Sequence, residues 1–428
     1  MTRPLRFVLL TTFYPPYSFG GDAVHVQTLA RALAAAGHRV DVIHCVDSWR
    51  MLHHGAPHAA AAEHPGVTVH RLRSGFGFLS PLLSQQTGRP YLKAGPIREI
   101  LQRCRPDVIH YHNISLFGPG VLELGADGVD AVKLYTMHEY WLVCPTHLLW
   151  KFNRRPCDKP ECLRCVVMAG RPPQVWRRTG MLERCALEVD AYLAPGSFVA
   201  QMHERYGFKR PTIPMPLFVE RPDSAGSDPS PPHARPYFLF VGRLEGVKNA
   251  GSLIEAWDKF READLLVAGS GAEAPALRAR ASSNPRIHFL GHVSQPALGR
   301  LYANCLACIV PSSMLEVFPM VVLEAFARRA PVVARDHGGL TEMIEQSGGG
   351  LLYRSEADLL AALARIAHDA ALRTELGANG YRMVDGPWSR EAHLERYFGV
   401  IRQAALRKFG HVPWESGTAG APAQAARP

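Results

Sequence analysis

Short apolar runs alternate with amphipathic stretches along most of the chain. The run LRFVLLTT at residues 5–12 predicts a buried strand. Residues 24–36 carry apolar side chains at helical spacing, closed by Gly37, and HRVDVIHC at 38–45 returns to strand character. This is a βαβ opening. Further strands are predicted at 67–72, 107–110, 131–136 and 191–194, so the first half reads as an open parallel sheet.

Residues 220–236 (ERPDSAGSDPSPPHARP) concentrate Pro, Ser and Asp, which build no core and mark a linker. The alternation then restarts with YFLFVGR, ADLLVAGSG, RIHFLGHV, CLACIVPSS and APVVARD, each separated by helical sequence. Two similar α/β units are therefore expected, 1–219 and 237–386, each a Rossmann-like, doubly wound parallel sheet. A terminal helix over 387–410, with apolar positions at Trp388, Leu394, Tyr397, Ile401 and Leu406, is expected to pack back on the first unit. An Ala/Gly/Pro tail over 411–428 follows.

Composition sharpens this picture in three places. A chain of 428 residues exceeds one ordinary core, which agrees with two domains. There is no apolar run of 18 residues, and the first run lacks a small-residue cleavage site, so it reads as a strand and not as a signal peptide. Nine cysteines, an odd number scattered over a long chain, favour a reducing cytoplasm over a disulfide framework. The net charge of +10 suits anionic partners such as phosphates or an acidic membrane face. No RNA-binding aromatic motif accompanies it, so nucleic acid is not the expected partner.

Three loops carry candidate chemistry. YPPYSFGGD joins the first strand to the first helix; Gly20 and Gly21 permit close backbone approach to a ligand, and Asp22 is placed to cap the helix. In FVGRLEGVKN a strand ends at Val241-Gly242 and presents Arg243 and Lys248, two cations beyond a strand terminus where α/β sheets collect ligands. In PSSMLEVFPMVVLEAFARRAPVVARDHGG, Pro319 is expected at the first helical position and Pro331 beyond the helix end. Glu316 precedes that helix, and Glu324 lies inside it, about 7 Å beyond Pro319 at 1.5 Å per residue. Cations and amides suit a diphosphate, and carboxylates suit hydroxyls, so together they suit a nucleotide sugar. A dehydrogenase fingerprint fails at Gly269-Ser270-Gly271, where position 274 is Ala.

The Gly-Gly loop, TMHE at 136–139, VGRL with its following Lys, Glu316-x7-Glu324 and the PVVA…GG…E pattern at 331–342 together resemble the retaining glycosyltransferases of family 4 over nearly the whole chain. The resemblance implies the GT-B fold, two Rossmann-like domains facing across a cleft. It implies that Gly20 and Gly21 approach the donor and that His138 contacts the transferred sugar. By the same resemblance Gly242, Arg243 and Lys248 hold the diphosphate, Glu316 contacts the sugar, and Glu324 binds ribose hydroxyls. Phe318, Met320 and Val321 complete the donor site. Pro319 stands where many members have glycine and removes one N–H, so the amides of Met320 and Val321 must supply more. The implied chemistry is a front-face displacement without a catalytic metal, Arg243 and Lys248 taking the place of a divalent cation. The rival reading is a nucleotide-sugar epimerase of the same fold, which would need acid and base groups around the sugar in place of an acceptor channel.

The spacing Cys144-x12-Cys157-x4-Cys162-x2-Cys165 supplies four thiols within 22 residues and predicts a structural zinc site, an iron–sulfur cluster using the same donors. Lys151, Arg154, Arg155 and Lys159 would offset its charge. Cys45, Cys104, Cys185, Cys305 and Cys308 are assigned to packing. Trp141, His147 and Trp150 either face an acceptor or pack under the knuckle. The acceptor is expected to be a glycan, a lipid-linked carrier or a small molecule. Arg89, Lys93, Arg98, Arg103 and Arg105, with Phe76, Phe78 and Tyr91, form a candidate docking surface for the inner face of an anionic membrane.

Overall fold

The computed structural model describes residues 3–415 except 54, 56, 58–61, 126–127, 153 and 222–231, so most of the 220–236 linker and the tail from 416 lie outside the described residues. Strands β1 (Arg6–Leu10), β2 (Arg39–Cys45), β3 (Val67–Leu72), β4 (Val108–Tyr111) and β5 (Val132–Thr136) are followed by a small antiparallel hairpin, β6 (Trp150–Lys151) and β7 (Arg155–Pro156). After β8 (Ala191–Ala194) and β9 (Thr212–Pro214), the first large sheet has the order β3-β2-β1-β4-β5-β8-β9. A six-stranded sheet is built from β10 (Tyr237–Val241), β11 (Asp264–Ala268), β12 (Ile287–Gly291), β13 (Cys308–Val310), β14 (Val332–Arg335) and β15 (Gly350–Tyr353), in the order β12-β11-β10-β13-β14-β15. Every neighbouring pair in it is parallel.

The near-continuous apolar runs explain the parallel sheets, because helices cover both faces and leave no polar side. Phe7, Val8 and Leu9 are fully buried, as are Phe238 and Leu239. Behind the second sheet Phe238, Trp257 and Phe260 meet edge to face at 5.4–5.8 Å between ring centroids. The Trp257 indole donates to the Ala263 carbonyl at 3.0 Å, so its burial leaves no polar atom unpaired.

The Cα atoms form two compact units, Met1–Thr136 with Gln174–Tyr192 and Glu395–Pro428, and Met137–Pro173 with Leu193–Leu394. The last helix, Arg390–Phe409, contributes to both descriptions. Within the first unit Tyr397 is fully buried, bonds His110 Nδ1 at 2.8 Å and stacks on Phe7. Within the second, Trp388 lies edge-on to Phe318 at 5.3 Å. Leu406, expected on the apolar face, is instead 39% exposed.

Two helix starts differ from expectation. The first helix is Gly21–Ala35 with Gly20 as N-cap; Asp22 falls inside the first turn and accepts from Asn113 Nδ2 at 3.1 Å, so it does not cap. The helix after Glu316 runs Met320–Ala327 with Pro319 as N-cap, so it starts one residue later than predicted, because Pro319 has extended ψ. Among the described residues no helix is long and apolar enough to cross a membrane.

Candidate functional site

The second unit brings the cationic loop and the two glutamates to the carboxyl ends of β10 and β13. The Gly242 amide donates to the Ala268 carbonyl at 3.0 Å, and the Leu244 amide to the Ser270 carbonyl at 2.9 Å, so the loop after β10 is zipped to the loop after β11. Gly269 holds φ +141°, and a Cβ there would sit 1.9 Å from the Gly242 carbonyl oxygen. The glycines that fail the dehydrogenase pattern thus seat the loop of Arg243 and Lys248.

Lys248 ends a 3-10 turn, Gly246–Lys248. Its Nζ donates to Glu316 Oε1 at 2.6 Å, and Ser312 Oγ donates to the same oxygen at 2.6 Å. Glu316 is 6% exposed, so its charge needs these partners. Its carbonyl accepts from Gly339.N at 2.9 Å, where a Cβ would fall 2.2 Å from the Val317 carbonyl oxygen. Arg243 is more exposed and pairs with Glu245 at 2.8 Å. Phe318 and Met320 are buried, Val321 is half-buried, and no side chain caps the start of the Met320–Ala327 helix.

Glu324, half-buried on that helix, accepts from the Tyr302 hydroxyl at 2.9 Å. Burial pushes its carboxyl up to about 7 against the opposing effect of that hydrogen bond. His138, just beyond β5, is half-buried; burial lowers its imidazole to about 4 although Glu139 pulls the other way, which favours the neutral form. Close by in sequence, Tyr140 is 1% exposed, and its hydroxyl is raised by burial and then by the carboxylates of Glu316 and Glu342. In the first unit Gly20 is the N-cap and Gly21 the first residue of the first helix.

The four-cysteine segment folds as the β6–β7 hairpin followed by the helix Cys162–Met168. Cys144 and Cys165 are buried, Cys157 is half-buried and Cys162 is exposed; none is in a disulfide. The Cys157 thiol is pushed up to about 11 by burial, then by Cys144 and Cys162, with Lys151 opposing and Cys165 adding. Phe152.N donates to Cys165 Sγ at 3.3 Å. The non-glycine residues His147, Leu149 and Phe152 all have positive φ, a concentration of costly backbone in one short loop. Among the described residues, the donor groups whose atoms all lie within 4.8 Å of one another are Asp41–His70–Cys104 and His233–Asp264–His288, and the four thiols are not among them. Lys151 is held by Glu161 at 2.6 Å and Asp158 at 3.3 Å, so it is already shared with carboxylates. Trp141 is fully buried, and His147 pairs with Glu139 at 2.6 Å.

Residues 19–221 match the family described as Glycosyltransferase Family 4, and residues 227–383 match Glycosyl transferases group 1. A GDP-mannose-dependent alpha-mannosyltransferase of Mycolicibacterium smegmatis is 30% identical over 356 residues, 80% of this chain and 86% of that protein. The chain belongs to the family 4 glycosyltransferases. A glycogen synthase of Mycobacterium tuberculosis is 27% identical to this glycosyltransferase over 393 residues, covering 86% and 87% of the two chains. The sucrose-phosphate synthase of Thermosynechococcus elongatus superposes with a TM-score of 0.71 at 21% identity, over 93% of this chain and 98% of that one, which establishes the GT-B fold.

Several residues that bond to or lie beside the candidate site residues give no signal in the sequence. Ser312 and Tyr302 act through side chains whose types are ordinary in loops and helices. Glu342 was noted only as the end of a motif. Its carboxylate accepts from the Ser197 amide at 2.7 Å and the Phe198 amide at 2.8 Å, capping the helix Ser197–Arg205, whose own N-cap Gly196 has no side chain to do so. A cavity of 370 Å³ lies where that helix, through Phe198 and Met202, meets Pro156 and Cys157 of the cysteine segment and Leu315 and Gly338 of the loops around Glu316.

Proposed function

We propose that this enzyme transfers a glycosyl group, with retention of configuration, from a nucleotide-diphosphate sugar to a glycan, lipid-linked or small-molecule acceptor. The observation that carries the reading is the cluster Lys248, Glu316 and Ser312 at the strand ends, beside an uncapped helix start and Glu324. Lys248 donates one of its three N–H bonds to Glu316, and the other two are available to phosphate oxygens. Arg243 adds a second positive charge, the amides of Met320 and Val321 add neutral donors, and Glu324 accepts from ribose hydroxyls. The name of the mannosyltransferase relative supports a nucleotide-diphosphate sugar as donor.

In the reaction the bond from the anomeric carbon to the departing phosphate oxygen breaks, and the acceptor oxygen bonds the same carbon on the same face. The acceptor proton passes to the leaving phosphate. Charge grows on that phosphate in the transition state, where Arg243, Lys248 and the helix amides stabilise it. Neutral His138 orients the transferred sugar by hydrogen bonding and does not carry charge. The cavity beside Leu315 supplies room on the acceptor side. The epimerase alternative is not favoured, because the relatives and the fold neighbour named above are transferases and synthases.

Calorimetry with UDP, GDP and ADP on the wild type and on Arg243→Ala and Lys248→Ala tests this directly. At least a tenfold loss of affinity for the preferred nucleotide is expected, about 1.4 kcal/mol or more. Unchanged affinity in both variants would remove the phosphate assignment.

The four cysteines are read as holding one structural zinc, which would draw the thiolates together and hold the strained 147–152 loop in place. Metal analysis of the purified protein is expected to give one zinc that is lost in Cys157→Ser. Iron in its place would point to a cluster, and neither metal would end the proposal.

A further inference from the structure

We propose that His233, Asp264 and His288 form a second metal site, for a single divalent transition cation of the zinc, nickel or cobalt class. Asp264 opens β11, His288 is the second residue of β12, and His233 lies four positions before β10. These are the amino ends of the strands, whereas Arg243 and Lys248 follow the carboxyl end of β10. The site is therefore separate from the phosphate-gripping loops and needs no part of the proposed reaction.

The geometry is convergent. His233 Nε2 lies 2.7 Å and His288 Nε2 3.3 Å from the same oxygen, Asp264 Oδ2. The two imidazole rings are 4.9 Å apart at 61°. All three ligand atoms fall within 4.8 Å of one another. A tetrahedral cation with bonds near 2.0–2.1 Å holds its donors roughly 3.3 Å apart, so small rotations of the imidazoles complete the set. Parallel register, with Leu266 beside His288, puts Asp264 and His288 on one face of the sheet and fixes their spacing.

The donor chemistry selects the class. Two imidazole nitrogens and one carboxylate oxygen suit zinc, nickel or cobalt(II), whereas magnesium and calcium take oxygen. Asp264 is only 4% exposed, and its other oxygen faces Arg235 Nε at 3.1 Å, leaving Oδ2 to the imidazoles. Arg235 is 57% exposed, so solvent screens its competition for the carboxylate. His288 is 37% exposed, giving the cation an open flank for water. The other convergent group, Asp41–His70–Cys104, fits less well, because the Cys104 thiol is pushed up to about 11 by burial and by Asp41 and keeps its proton.

A cation here would tie the segment entering β10 to the starts of β11 and β12, stabilising the sheet by mass action. The test uses full-length protein stripped with a chelator and titrated with zinc, comparing wild type with His288→Gln, which can still hydrogen-bond Asp264 but offers no imidazole. One zinc equivalent fewer is expected in the variant, with nucleotide affinity unchanged as the check on folding. His233→Ala should lose the same equivalent, and Cys157→Ser should keep it. With cobalt(II), the Cys157→Ser protein should show visible d–d bands that vanish in Cys157→Ser/His288→Gln. Equal zinc uptake by wild type, His288→Gln and His233→Ala would overturn the proposal and leave a plain hydrogen-bonded triad.

Discussion

Glu324 shows how much one side chain can carry. In the unfolded chain its carboxyl would titrate near 4.5; in the fold, burial holds it at about 7. The folded state therefore binds this proton more tightly. Its contribution to stability is complete below pH 4.5 and is lost as pH rises toward 7, amounting to at most about 3 kcal/mol. Glu324→Gln should flatten the decline of melting temperature between pH 5 and pH 8; identical slopes in variant and wild type would contradict the assignment. Binding runs the other way, since the ionised carboxylate is the better acceptor for ribose hydroxyls. At this scale the sequence was most informative where residue type and spacing both mattered: Arg243, Lys248, Glu316 and Glu324 were all visible as charged groups placed by strand ends and a proline-bounded helix. Ser312 was not, because a hydroxyl neutral in charge and common in loops gives no periodic or electrostatic signal.

Among the elements, the clearest gain from the structure is the cap on Ser197–Arg205. Glu342 supplies two hydrogen bonds to that helix from 144 and 145 residues away. Removing them in Glu342→Ala should cost about 1–2 kcal/mol and lower the melting temperature by a few degrees, with Glu342→Gln intermediate. A melting temperature unchanged in Glu342→Ala would mean that solvent replaces the cap. Strands with four or more apolar residues, such as β1, β2, β10 and β11, were legible because burial on both faces forces a near-continuous run. The two-residue strands β6 and β7 and the three-residue β9 were not, since so few positions define no period. The shift of Pro319 from first helical residue to cap has the same origin: either position satisfies the ring and the missing N–H, and only ψ decides.

For the whole chain, the excess of positive charge and the exposed aromatics of one segment belong together. Phe76, Phe78 and Tyr91 are 62%, 58% and 54% exposed, and Arg89, Arg98, Arg103 and Arg105 lie on the surface of the same stretch. Lys93 does not join them; it is 3% exposed and donates to Ser84 Oγ at 3.4 Å, a correction to the basic surface read from sequence. Aromatic side chains that enter a headgroup layer and arginines that meet anionic lipid favour peripheral docking. Flotation with anionic vesicles is expected to carry the protein upward at low salt and to fail for Phe76→Ser/Phe78→Ser; protein that stays at the bottom with every lipid would refute it. The division into two α/β units was readable because the hydrophobic alternation stops and restarts, while the assignment of the cysteine segment to the second unit depended on contacts between residues far apart in sequence.

Gly269 sets a final condition on all of this. With a Cβ at that position 1.9 Å from the Gly242 carbonyl, even alanine would pry the two strand-end loops apart. The proposed grip on the leaving group thus depends on one missing methyl, and a saturation library at codon 269 should return active clones that encode glycine alone.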